Sequence, residues 1–119
     1  MNKKEIEELN GFKEMRIVDN FYQTSSFFPM PTTQIGTLNE NGKTNIGSYS
    51  LCFPYYIAGR DYYAMILCCR NTSNTAKNIL RTGKCSINFI TDSRKYFKEA
   101  VRLGYPGETT EEKMKDCIF

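Results

Sequence analysis

The chain contains no histidine and no tryptophan in 119 residues. Without histidine there is no imidazole metal ligand, no Ser-His-Asp triad and no histidine general base. Any catalysis must use other side chains or a bound cofactor. Long apolar runs are missing as well. None approaches the roughly 18–20 residues of a membrane-spanning helix. The N-terminal Met1-Asn2-Lys3-Lys4-Glu5 lacks the apolar core of a signal peptide. A cytoplasmic protein that does not engage a membrane is expected. Charge of one sign is also scarce. Sixteen Lys and Arg against 13 Asp and Glu give a net charge of +3. That admits an anionic ligand but lacks the concentrated basic patch of a nucleic-acid partner.

Cysteine is present, but not in a pattern that carries chemistry. Five is an odd number, and a reducing compartment disfavours disulfides. No two are spaced as C-x-x-C, so a zinc or iron–sulfur site has little support. Cys68 and Cys69 would face opposite sides of a strand and could not easily share a ligand. Cys52, Cys68, Cys69, Cys85 and Cys117 are therefore expected as small buried hydrophobes. Asn71-Thr72-Ser73 matches a glycosylation sequon, which has no consequence without secretion.

What remains, 40% hydrophobic and 24% charged, suits one globular domain over 1–119. Residues 1–28 read as an N-terminal helix and lead-in, and 29–119 as the core. Lys3 to Leu9 has the pattern of a short amphipathic helix stopped by Asn10-Gly11. Met15 to Tyr22 is mixed and strand-like. Phe28-Pro29-Met30-Pro31 must be extended.

Thr33–Leu38 and Lys43–Leu51 flank Asn39-Glu40-Asn41-Gly42. Asn-Gly favours positive φ, so a β-hairpin is expected, either tight or with a slightly longer loop. Its second strand carries small polar residues, and Gly47 would let another group approach the backbone. Phe53 to Asp61 reads as loop because of Pro54 and Gly59. Tyr62 to Cys69 is a continuous apolar run, expected as a strand buried on both faces. Asn74 or Thr75 to Thr82 forms a helix stopped by Gly83. Lys84 to Thr91 is a strand. Asp92 would cap a helix from Ser93 to Leu103, with Tyr96, Phe97, Ala100, Val101 and Leu103 as its apolar stripe. Thr109-Thr110-Glu111-Glu112 has the form of a capping box for a last helix, Thr110 to Lys115. The apolar finish Cys117-Ile118-Phe119 reads as the start of another strand, as though the chain stopped short of its C-terminal strands.

The stretch from Tyr62 to Ile79 carries the most chemistry. An apolar strand ends in Arg70, and hydroxyls and amides follow at a helix start. A helix N-terminus offers unpaired N–H groups and a positive dipole end. Arg70 adds a planar fork of donors suited to phosphate. An ordinary capped strand–loop–helix junction would use the same residue types.

Three segments, in this order, resemble the flavin reductase-like proteins of the FMN-binding split-barrel superfamily. The first runs from Thr33 through the Asn41-Gly42 turn to Asn45. The second is Asn45-Ile46-Gly47-Ser48-Tyr49-Ser50, similar to the small-residue stretch that lines the flavin ring and ribityl chain. The third is Arg70 to Ile79, followed by Gly83-Lys84-Cys85-Ser86-Ile87-Asn88-Phe89. The family's usual His or Tyr in the third segment is Asn74 here. The resemblance covers about Pro29 to Phe119, most of the chain.

The resemblance implies a mainly β fold with flanking helices, a split β-barrel that this chain would leave incomplete at its C-terminus. It also implies a homodimer binding FMN, with NAD(P)H as electron donor. Asn45, Ser48 and Ser50 would then bond the isoalloxazine or ribityl groups, with Tyr49 in the same stretch. Arg70, Asn74, Thr75 and Lys77 would hold the phosphate. The expected function is electron transfer from NAD(P)H through FMN to a flavin, a ferric complex or a redox protein. Two alternatives stand beside it: a non-catalytic FMN-binding electron carrier, and a small-barrel module that stacks single-stranded nucleic acid on its aromatics. Tyr55-Tyr56 and Tyr62-Tyr63 could shield a flavin or simply form strands.

Overall fold

The computed structural model describes residues 30–119. The expected Lys3–Leu9 helix and the strand-like Met15–Tyr22 lie outside the described residues.

The hairpin forms where the turn residues require it. Strand β1 (Thr33–Leu38) pairs antiparallel with β2 (Thr44–Tyr49), from Thr33↔Tyr49 to Leu38↔Thr44. The loop takes the longer of the two expected forms. Asn39 Oδ1 accepts from the backbone of Asn41 (3.0 Å) and Lys43 (2.8 Å), and Gly42 supplies φ 74°. Strand β3 (Cys52–Tyr56) and β4 (Tyr63–Leu67) make a separate antiparallel ribbon. Helix α1 (Asn74–Thr82) follows, then β5 (Ser86–Phe89), which pairs with the free side of β1. The sheet order is β2-β1-β5. Helix α2 (Arg94–Gly104) and the short α3 (Thr110–Met114) complete the described chain.

Being central, β1 is buried on both faces: Thr33, Gln34, Ile35 and Thr37 are all closed to solvent. Strand alternation puts Thr33, Ile35 and Thr37 on one face with their β2 partners Tyr49, Gly47 and Asn45. Helix α1 covers that face, where Asn78 Nδ2 donates to Thr37 Oγ1 (3.1 Å). Helix α2 lies on the other, where Ser48 Oγ reaches the Ala100 carbonyl (2.5 Å). Among the described residues, the buried apolar side chains are Ile35, Cys52, Ala76, Ala100 and Leu103.

The described residues form a mixed α/β domain with antiparallel sheets, and they close no barrel. None of their helices is long and apolar enough to cross a membrane. Several local expectations need correction. Phe53–Tyr56 is strand, not loop. Pro54 is tolerated because, among the described strands, β3 pairs with β4 alone and needs no second ladder of N–H donors. The β4 run is not buried on both faces: among the described strands it has β3 alone as a partner, and Met65 is 44% exposed. Only Cys52 of the cysteines is buried, and all five are free thiols. Ser93, not Asp92, occupies the N-cap of α2, and Phe97 and Val101 face outward. Residues 117–119 form no strand, and Phe119 stacks on Tyr96 at 5.5 Å.

Both remaining helix ends follow their local code. Ser73 caps α1 by accepting from Ala76 N (3.1 Å), and Gly83 ends it at φ 67°. The capping box of α3 is complete. Glu112 N donates to Thr109 Oγ1 (3.2 Å) and Thr109 N to Glu112 Oε2 (2.9 Å).

An ion pair within α2 positions the arginine that ties this helix to α3. Arg102 grips the Glu99 carboxylate with Nε (3.0 Å) and Nη2 (2.5 Å), and its Nη1 donates to the Lys113 carbonyl (2.9 Å). The Arg102 bond holds the Glu99 carboxyl below its ordinary value of 4.5. A carboxylate lowered on folding contributes stability that is complete above the unfolded value and lost as pH falls through the folded one. Urea midpoints are therefore expected to fall as pH drops below 4.5. Glu99→Gln should flatten that part of the profile, and an unchanged profile would remove this pair as its source.

Candidate functional site

A cavity of about 920 Å³ opens where the end of β2, the β4–α1 loop and the α2–α3 connection meet. Its volume lies in the range of small-molecule sites, roughly 300–1,000 Å³. Seven of the eight residues singled out from sequence line it: Ser48, Tyr49, Ser50, Arg70, Asn74, Thr75 and Lys77. The Tyr55, Tyr56 and Tyr62 rings do not, and stand out in solvent on or beside the ribbon.

Asn45 is the exception. It is completely buried behind the cavity wall. Its Nδ2 donates to Thr37 Oγ1 (3.3 Å) and Thr75 Oγ1 (3.4 Å), and its Oδ1 accepts from Thr110 Oγ1 (3.2 Å). Both amide protons and the carbonyl are engaged, so Asn45 is a structural hub and not a ligand contact. It positions Thr75 instead, leaving that residue's own hydroxyl proton available.

Ser48 is likewise committed. Its Oγ lies 2.8 Å from Gln34 Oε1 and 2.5 Å from the Ala100 carbonyl. A hydroxyl carries one proton and cannot donate to both. Gln34 Nε2, by contrast, is buried with no partner among the described residues. Interchanging the amide oxygen and nitrogen gives Ser48 a donor on one side and an acceptor on the other. Ser48 thus braces β2 against α2, and the wall it offers the cavity is mainly backbone. Asn74 is partly used, since its Nδ2 donates to the Glu108 carbonyl (2.9 Å).

Gly47 has a tighter constraint than the sequence suggested. A Cβ there would stand 2.8 Å from Tyr49 Cε2 and 2.9 Å from Thr75 Oγ1. The group that approaches this backbone is the protein's own cavity wall. Gly47→Ala should displace both side chains and cost about 1–3 kcal/mol. Chemical denaturation measures this, and a wild-type midpoint would show that the wall yields freely.

The electrostatics favour an anion. Among the described residues, the lining carries Arg70, Lys77 and Lys113 against the one carboxylate of Glu108. No acidic residue occupies the first turn of α1, so its positive end is not offset there. Arg70 and Lys77 are exposed and form no ion pair among the described residues. Sequence reading missed Lys113, which sits among charged neighbours in a stretch that looks like solvated surface. It also missed Cys68 and Cys69, which both line the cavity. Strand β4 ends at Leu67, so the alternation expected to separate them stops short of them.

No protein-family model and no curated protein matches this chain.

Proposed function

We propose that the protein binds FMN in this cavity and passes electrons from NAD(P)H through it to a flavin, a ferric complex or a redox protein. One observation carries the reading. The residues that the family resemblance assigns to the cofactor, apart from Asn45, line a single cavity whose cations exceed its carboxylates by two. A phosphate monoester bears a charge of about −1.5 to −2 at neutral pH, which such a lining would balance.

Arg70 would grip the phosphate with its planar fork, Lys77 would add a point charge, and the first-turn amides of α1 would donate from below. The β2 wall from Gly47 to Ser50 would flank the rest of the ligand, with the Tyr49 ring held toward Ser73 (Oη to Oγ 3.5 Å). FMN supplies hydride acceptance, and the protein supplies orientation and charge.

On this reading the three-stranded sheet and the β3–β4 ribbon are portions of a split barrel. A two-stranded ribbon is marginal alone. The exposed Phe53 and Tyr55 on one face of this ribbon suit pairing with a second copy in a cytoplasmic homodimer. Fluorescence titration with FMN is the direct test. Saturable quenching at one FMN per chain is expected, and no quenching removes the proposal. Steady-state NAD(P)H oxidation by the loaded protein then separates an oxidoreductase from an electron carrier.

A further inference from the structure

The starts of α1 and α3 are tied together beside the cavity. Asn74 Nδ2 bonds the Glu108 carbonyl, and Asn45 bridges the hydroxyls of Thr75 and Thr110. One turn into α3, Lys113 lines the cavity with only 8% of its surface exposed. Among the described residues its ammonium has no ion-pair partner and donates no hydrogen bond. The stem is enclosed, but the ammonium nitrogen is not sealed off without a partner as Gln34 Nε2 is. It opens to the cavity as a cation that methionine would match in packing but not in charge. Burial presses the Lys113 ammonium below its ordinary range. Glu108 on the same wall, and Cys117, oppose that, while Arg102 adds to it.

We propose that Lys113 completes a phosphate-monoester subsite where the starts of α1 and α3 meet, acting with Arg70, Lys77 and the first-turn amides of α1. This deepens the FMN reading and rests on it for the source of the phosphate, though not for the subsite itself. The alternative is a lysine whose head meets only water in the cavity. The two differ in what removal of the charge does. A water-facing lysine replaced by methionine leaves phosphate recognition alone. A subsite lysine so replaced loses it, while the ligand-free protein becomes no less stable.

The experiment compares wild type with Lys113→Met and Lys113→Arg, using FMN, riboflavin and inorganic phosphate as probes. Lys113→Met should weaken FMN at least about tenfold, the loss expected when a charge-assisted bond to phosphate is removed. Riboflavin, lacking the phosphate, should bind both proteins equally. Lys113→Arg should retain most FMN affinity. Unchanged FMN affinity in Lys113→Met, or equal losses of FMN and riboflavin, overturns the subsite. If wild type binds no FMN, the cofactor reading fails by itself and inorganic phosphate decides the rest. Millimolar phosphate should then raise the melting temperature of wild type but not of Lys113→Met. Its absence in wild type, or an equal rise in both, overturns the proposal. Should Lys113→Met not fold, amide shifts in wild type decide. Phosphate must move the signals of Asn74, Thr75 and Lys113 together, and their failure to move overturns it.

Discussion

Asn45→Ala should lower the free energy of unfolding by about 2–4 kcal/mol, because it strands several buried hydroxyls at once. Asn45 joins four elements. Its amide links Thr37 of β1 to Thr75 of α1, and its carbonyl accepts from Thr110 of α3, all from a position on β2. Thr37 Oγ1 is shared further with Asn78 of α1. Alanine removes two donors and an acceptor from a site with no solvent access. Water could re-enter only by opening the wall. Asn45→Asp should be at least as damaging, since it keeps the acceptor, loses both donors and adds a buried charge. Urea denaturation followed by circular dichroism measures both. Flavin affinity should fall only as far as the folded population falls. A variant of wild-type stability with selectively weakened FMN binding would return Asn45 to the ligand contacts.

The role of Asn45 was out of reach of the sequence for a physical reason. Two of its partners lie 30 and 65 residues away, and no local pattern records such a pairing. Features written in adjacent residues were legible. Asn41-Gly42 fixed the turn, Gly83 ended α1, and Thr109 with Glu112 closed the capping box. Where the answer depended on a neighbour, local rules misled. Pro54 signalled a loop, yet a strand with one partner accepts it. An unbroken apolar run signalled double burial, yet β4 has a ribbon partner and no second neighbour among the described strands. Lys113 looked like surface because its neighbours Glu111 and Glu112 are exposed. Only the packing of α3 against β2 and α2 turns it inward. One side of the cavity was legible, since Arg70, Asn74, Thr75 and Lys77 cluster at one helix start. Which of them are free to meet a ligand was not.

Arg70→Ala should separate binding from folding in the opposite sense to Asn45→Ala. The Arg70 side chain is exposed and makes no hydrogen bond or ion pair among the described residues. Its structural contribution is the backbone carbonyl that accepts from Ser73 N (3.0 Å), which alanine retains. The cap of α1 depends on Ser73 and stays intact. Stability should change by less than about 0.5 kcal/mol, as for surface substitutions away from special features. FMN affinity should fall about tenfold or more, because a charge-assisted bond to phosphate contributes about 1.5–3 kcal/mol. Arg70→Lys should recover only part of this, keeping the charge but not the fork. Added salt should narrow the difference between wild type and Arg70→Ala, since an exposed cation is screened by salt. Fluorescence titration and urea denaturation of the same preparations give both numbers. If stability and affinity fall together, Arg70 serves the strand–helix junction. If affinity alone falls, it serves the ligand, and the pair of variants divides the wall that holds the cavity from the charges that face into it.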